Sequence, residues 1–474
     1  MRKRMLPVLL VALSVASATV AVIPLLQGPA SSSSAATQPT TPVFSLRRAP
    51  ALVSRTVAGR RLVAELDGIL GQPALGPAQD QTCLAVRDPD GRPIYERQIS
   101  TPLIPASTTK VVTGAVAITR LGADARYVTE VKAAGGFQDG AVGDLWLVGS
   151  GDPLLGTGDF AATAGWLETP RPYTSLESLA DRIAVAGVRR VGRLLGDESR
   201  YDGQRYVPSW EPSYATVPEV GPQSALTVND GYVQWEPRKV AAGAPATHGA
   251  TVLADLLRGR GVAVDGVGEG QAPAGLEPVA SMESLPMHEV VGVVLRDSGN
   301  LASELLVKEL GARFGGGGTT SAGLNVVRST LSEMGLAVDG LESVDGSGLD
   351  RGDRVTCDLL QDLLATDGEN GPLAQGLPVA GRTGTLLRRF RSTPASGKVR
   401  AKTGSLDEVI GLSGWATAGD GRSLLFSLVA NGLPFDDLGF ALQDRVVSAL
   451  VSYPQAPAPD DIAPGPPRAP PEGS

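Results

Sequence analysis

Histidine is nearly missing from this chain. Only His248 and His288 occur in 474 residues, so a hydroxyl that needs activation must look elsewhere for its base. Cysteine is as scarce: Cys83 and Cys357 are the whole supply. No Cys/His spacing of the zinc type is present, which leaves no metal site to assign. In an oxidising compartment the two cysteines could pair, and a buried thiol at either position is an equal reading. A basic stripe is lacking too. The net charge of −8 is spread along the chain, which argues against nucleic acid as a partner.

Glycine and proline are plentiful, at 59 and 36, and 42% of the side chains are apolar. These figures describe a soluble, loop-rich chain long enough for two or three domains. The N-terminus differs from the rest. Arg2, Lys3 and Arg4 precede the apolar run "MLPVLLVALSVASATVAVIPLL", which dissolves into Ser, Thr and Pro. That order is the pattern of an export signal. Residues 1–27 are therefore predicted to be a signal peptide or, if uncleaved, a membrane anchor with the body outside. Residues 28–50 read as a flexible linker and 454–474 as a disordered Pro-rich tail.

Between them, 51–70 has helical periodicity, and "TCLAVRD", "DPDG" and "RPIYERQ" read as a β-hairpin. From 127 to 285 short strand-like runs alternate with Gly and Pro, which suggests one or two inserted β-rich domains. Helices follow at "HEVVGVVLRD" and the amphipathic "LASELLVKELGARF". Three strands in a meander close the pattern. The expected architecture is an α/β (α+β) domain, an antiparallel sheet flanked by helices, built from 51–126 and 286–453 and interrupted by a separate module.

Three short stretches carry chemistry. In "PASTTK", Ser107 precedes Lys110 by three positions at a predicted helix start running to Gly122. Positions i and i+3 share a helix face. A buried lysine can lose its proton and take one from a serine. The alternative is an N-cap serine beside a solvated lysine. "RDSGN" holds Ser298, Gly299 and Asn300 between two helices, where a hydroxyl and an amide can point into a cleft. "RAKTGS" holds Lys402, Thr403, Gly404 and Ser405 at the end of a meander strand, with Gly404 leaving room for a ligand to approach the backbone. "RTGT" at 382–385 mimics this third stretch, but no strand pattern leads into it, and it is assigned to a loop.

S-x-x-K, S-x-N and K-T-G in that order resemble the signature of penicillin-binding proteins and serine β-lactamases. Ser107 and Ser298 are 191 positions apart. That spacing is similar to the class C low-molecular-mass penicillin-binding proteins, the D-alanyl-D-alanine carboxypeptidase/endopeptidase family, which carry domains inserted between the first two motifs. "GSGDPLL", "SALTVNDG", "DGSGLDR" and "LPVAGRTGTLLRRF" also resemble it, and the resemblance runs from about 55 to 450. Two positions depart from the family pattern: Gly299 stands where Asp is usual, and Ser405 where Thr is commoner.

The resemblance implies a penicillin-binding-protein transpeptidase-like fold and acyl transfer through Ser107, with Lys110 as its base. Ser298 and Lys402 would pass a proton to the leaving amine, and Asn300 would hold the substrate amide. Thr403, Gly404 and Ser405 would bind the terminal carboxylate. Backbone N–H groups of Ser107 and Ser405 would form the oxyanion hole. Peptidoglycan stem peptides are the implied substrate and β-lactams the implied covalent inhibitors, with no metal or organic cofactor. The implied location is the outer face of the cytoplasmic membrane, the cell wall or the medium. The alternatives are a β-lactamase or D-amino-acid esterase/amidase on the same scaffold, and a non-catalytic wall-binding relative.

Overall fold

The computed structural model describes residues 49–135, 139–216 and 219–463. The export segment, the linker up to residue 48 and the last part of the tail lie outside the described residues. From its start the chain forms helix α1 (Ala49–Leu70), the hairpin β1 (Thr82–Arg87) and β2 (Pro93–Arg97), and helix α2 (Thr109–Leu121). The insertion then supplies β3 (Val128–Ala133), β4 (Ala141–Val148), α3 (Leu176–Val185), β5 (Arg190–Asp197), α4 (Pro245–Arg258), β6 (Ala263–Glu269) and β7 (Pro278–Glu283). Four helices follow: α5 (Met287–Asp297), α6 (Asn300–Phe314), α7 (Thr320–Glu333) and α8 (Cys357–Asp367). Strands β8 (Val399–Leu406), β9 (Val409–Thr417) and β10 (Ser423–Asn431) and helix α9 (Asp436–Ser452) complete the path.

The first sheet is antiparallel, in the order β8-β9-β10-β1-β2. Its strands alternate between two apolar layers, as the two-residue period of a pleated strand requires. Leu84, Val86, Leu424, Phe426 and Leu428 join α1 and α9 in one core. Cys83, Ala85, Leu425 and Val429 face α2, α5 and α8 in the other. Helix α2 is built from Thr and Val, poor helix formers in isolation. Every residue from Thr109 to Ala117 is buried, so packing holds it. It ends at Gly122, whose φ of 95° few other residues adopt and whose N–H reaches Ile118 O.

The second sheet runs β6-β5-β4-β3-β7 and draws all its strands from the insertion. It is mixed, with β6, β5 and β4 parallel and β3 and β7 antiparallel. Helices α3 and α4 pack on it around Leu145, Leu147, Leu179, Ile183, Leu194 and Leu253.

Several sequence expectations need correction. The insertion is not β-rich alone, because parallel neighbours need crossovers and α3 and α4 lie in those connections. It has a sheet and an apolar core of its own, and it lies within the compact unit Arg55–Pro457. "SALTVNDGYVQW" contributes only the 3₁₀ turn Asn229–Gly231 and the short strand Tyr232–Gln234, the rest being loop. Helix α6 is not amphipathic. All its residues from Leu301 to Gly311 are buried, Glu304, Lys308 and Glu309 included, because it runs through the interior with its charges paired or neutralised. The tail carries one 3₁₀ turn, Pro459–Ile462, among its described residues.

Cys83 and Cys357 form a disulfide that ties β1 to the start of α8. Their Cα atoms are 6.0 Å apart, within the range such a bond spans. The bridge closes a loop across 274 positions, so it restricts the unfolded chain strongly. Replacing both cysteines with alanine is expected to lower stability by about 2–5 kcal/mol, read as a lower denaturation midpoint. An unchanged midpoint, or two free thiols titrated in the unfolded wild type without reductant, would refute the pairing.

Candidate active site

The segment before Ser107 is held from two sides. Asn431, at the end of β10, accepts from Ile104 N–H (2.8 Å) and donates to Ile104 O (2.9 Å). Leu103 bridges Val355. The chain then turns at Ala106, a non-glycine residue with φ of 48°, a conformation that costs about 1–3 kcal/mol and persists only where its surroundings enforce it. Residues 106–108 form a 3₁₀ turn that feeds α2. Ser107 therefore sits one turn ahead of the helix proper and makes no N-cap bond. Two glycines let neighbours reach this turn. A Cβ at Gly404 would lie 2.8 Å from Pro105 O, and one at Gly348 would lie 1.9 Å from Ala106 O. Gly404 thus makes room for the nucleophile turn, a packing need that the sequence expectation did not include.

Lys110 is fully buried, one helical turn beyond Ser107. Its Nζ lies 2.9 Å from Ser107 Oγ and donates to Asn300 Oδ1 (2.8 Å) and Ser347 O (2.6 Å). Both of the latter are carbonyl oxygens and only accept. A neutral amine has two N–H groups for those two acceptors and a lone pair left for the serine proton. Burial pulls the Lys110 pKa down to about 8, against the opposing pull of Asp345, Glu304 and Asp353.

Those carboxyls are restrained in turn. Asp345 accepts from Ser347 N and Gly348 N (2.9 and 2.6 Å) and from Trp210 Nε1 (2.7 Å). Glu304, one turn along α6 from Asn300, accepts from Gly346 N at 3.0 Å. Burial, reinforced by Asp345, pushes Glu304 up to about 8. Burial and then Asp345 hold Asp353 well above the usual carboxylate range. Neutral acids beneath the lysine favour its ammonium less than ionised ones would.

Ser298 caps α5 in the left-handed conformation, with φ of 58°. Its Oγ lies 2.9 Å from Lys402 Nζ, which also donates to Thr403 O (2.7 Å). Lys402 is fully buried in β8, opposite Ser413 of β9. Burial, and secondarily Lys110, depress its pKa well below the ordinary lysine value. The Asn300 amide also donates to Glu219 O (2.9 Å), which fixes its orientation toward Lys110.

Ser107, Ser298, Asn300 and Ser405 line one open cleft of about 580 Å³, with Glu211, Tyr214, Arg351 and Asp407 around its mouth. Lys110 and Lys402 lie beneath it, each against one of its serines. Thr403 is oriented by donating to Thr385 Oγ1 (2.8 Å). All eight sequence-predicted residues converge, with Gly404 serving the packing.

Sequence reasoning passed over Thr385, Glu304, Asp345 and Ser347. "RTGT" is a loop, as expected, closing in the 3₁₀ turn Gly384–Leu386. It nevertheless touches the third motif. The only signals were segments quoted above for their resemblance, because no spacing rule links residue 385 to 403 or 304 to 110.

Comparison with known proteins gives a consistent result. The D-Ala-D-Ala carboxypeptidase 3 (S13) family matches residues 62–249 and 237–450. The chain is 32% identical to a D-alanyl-D-alanine carboxypeptidase of Actinomadura sp. (strain R39), over 90% of this chain and 91% of that one. It is 30% identical to the carboxypeptidase DacB of Mycolicibacterium smegmatis, over 80% and 82%. Penicillin-binding protein 4 of Haemophilus influenzae shares the fold, with a TM-score of 0.67 at 20% identity, over 82% of this chain and 98% of that one.

The depressed Lys110 pKa sets a pH dependence. Below about 8 the ammonium dominates, and the free base grows as pH rises through that value. The rate at which an acylating reagent modifies Ser107 should rise with the same midpoint. Glu304→Gln removes an anion that forms at high pH, so it should move the midpoint to lower pH. A flat profile in the wild type would contradict the assignment of Lys110 as the base.

Proposed function

The chain belongs to the D-Ala-D-Ala carboxypeptidase 3 (S13) family, and from that premise we propose that it is a serine D-alanyl-D-alanine carboxypeptidase acting on peptidoglycan stem peptides and inhibited by β-lactams. The observation that carries this reading is the Lys110 amine 2.9 Å from the Ser107 hydroxyl, with a second serine–lysine pair in the same site. Relatives named for this activity support it.

In this reading Ser107 Oγ attacks the carbonyl carbon of the D-Ala–D-Ala bond while its proton passes to Lys110 Nζ. Backbone N–H groups of Ser107 and Ser405 receive the developing oxyanion. Losing one such donor typically costs about 3–4 kcal/mol of barrier. The C–N bond then breaks, and the departing amine takes a proton from Ser298, whose hydroxyl is held by Lys402 and regains a proton from the Lys110 ammonium, which returns to the neutral amine. Net, one proton moves from Ser107 to the amine, and an acyl-serine ester remains. Water adds to that ester, its C–O bond breaks, and the shortened peptide leaves as a carboxylate with Ser107 restored. Asn300 orients the substrate amide. Thr403, aligned by Thr385, and Ser405 take the terminal carboxylate. Cutting a D-Ala cross-link is the same chemistry with a larger amine leaving.

This substrate lies outside the cytoplasmic membrane, so the reading includes export, supported by the basic, apolar, polar order of residues 1–27. Among the described residues no helix is long and apolar enough to cross a membrane, and any anchor would be that N-terminal segment.

Labelled penicillin should mark the protein covalently, and Ser107→Ala should abolish both labelling and release of D-Ala from muropeptides. Lys110→Ala should slow acylation by roughly 10²–10⁴-fold. Undiminished labelling of Ser107→Ala would reject the nucleophile. Rapid turnover of penicillin, without accumulation of the ester, would point to a β-lactamase instead.

A further inference from the structure

Ser298 occupies a left-handed position at the end of α5, where its own N–H and that of Gly299 return to Val294 O and close the helix. Those bonds fix the backbone of the cap, and the insertion adds contacts to the residues on its N-terminal side. Residues 166–171 form a loop that leaves the insertion's aromatic cluster and crosses to this turn. At its far end Arg171 is only 4% exposed. Its Nε lies 2.9 Å from Asp297 Oδ2, immediately before Ser298. Its Nη1 donates to both carboxylate oxygens of Asp230 at 3.1 Å. The guanidinium stacks over the Trp166 ring at 4.0 Å. Trp166 packs edge-on against Phe160 at 5.5 Å, and Arg171 N–H is bonded to Ala161 O (3.0 Å).

Midway along the same loop, Glu168 accepts from Gly384 N–H at 2.5 Å. Gly384 has φ of 52°, and a Cβ on it would lie 2.5 Å from Arg296 O. The 382–385 loop is thus pressed against the residue two before Ser298. One segment of the insertion therefore meets the turn twice, directly through Arg171 and Asp297, and indirectly through Glu168 and Gly384.

We propose that the 166–171 loop is a positioning strap, by which the insertion holds the 296–298 turn so that the Ser298 hydroxyl faces the leaving group. Arg171 and Glu168 are its positioning residues and touch no reacting atom. The inference rests on the role of Ser298 proposed above. It gives the insertion a part in the reaction without a binding site of its own.

If the strap aims a proton donor, loosening it should harm only reactions whose leaving group needs that proton. An amide or β-lactam nitrogen does, whereas the thiolate released from a thiolester does not. Acylation of Arg171→Met, Arg171→Lys, Glu168→Ala and Ser298→Ala would be followed with a penicillin and with a peptide thiolester. Arg171→Met should lose about ten- to a hundredfold on penicillin, a part of the usual general-acid contribution, and less than about threefold on the thiolester. Arg171→Lys should recover part of the difference, since it keeps the charge without the fork. Glu168→Ala should show the same selectivity more weakly, and it serves as the test if Arg171→Met does not fold. Equal losses on both substrates, or none, in folded strap variants while Ser298→Ala is selective would overturn the strap. A Ser298→Ala protein with no selectivity would instead overturn the proton-relay reading beneath it.

Discussion

Three lysine side chains are fully buried among the described residues, and while Lys308 pairs with Asp202, no carboxylate forms an ion pair with Lys110 or Lys402. An ammonium taken out of water without a counter-ion is costly, and the group answers by giving up its proton. Each amine also raises the cost of charge on the other. The site is organised around that constraint. Carbonyl oxygens of Asn300, Ser347 and Thr403 satisfy the N–H groups of the amines, and the serine hydroxyls meet the remaining valence. Carboxyls that would restore the ammonium are buried, and two of them, Glu304 and Asp353, hold their protons more tightly than usual. Lysine can stand in for a histidine that the chain hardly contains.

Holding such a site requires backbone that neither helix nor strand supplies. Ala106 and Ser298 both sit at positive φ beside a motif residue, one just before the nucleophile and the other the second serine itself. Each is enforced from outside. Asn431 and Gly348 press on the first turn, and Arg171 and Gly384 reach the second. β8 can lie against the nucleophile turn only because residue 404 has no side chain. Glycine in the third motif thus answers to packing.

The insertion shows what a linear pattern conceals. Alternating short runs between 127 and 285 announced strands, and the second sheet is there. Its helices α3 and α4 were missed although Leu176, Leu179, Ala180 and Ile183, and Ala246, Ala250, Leu253 and Leu257, recur at helical spacing; the strand-like runs around them drew the reading toward β structure. Arg171 and Glu168 gave no signal, and Asp230 only its place in "SALTVNDG". They read as ordinary loop residues until folding sets them beside Asp297 and Gly384. Helix α6 misled in the opposite direction. Its charged residues suggested a solvent face, but Glu304, Lys308 and Glu309 are paired or neutralised inside.

What the sequence determined by itself is the chemistry: which residue types are present, in which order, and how far apart. The three-residue spacing of Ser107 and Lys110 puts them one turn apart once packing holds the 3₁₀ turn and α2 in place. Whether Lys110 is a base or a surface charge is a matter of solvent, and only burial under α6 and the 345–348 turn decides it. The meeting of Ser298 with Lys402, the close approach of Gly404 to the nucleophile turn, and the pairing of Cys83 with Cys357 are decided the same way. Each depends on distances between segments a hundred or more residues apart, which composition and periodicity do not encode.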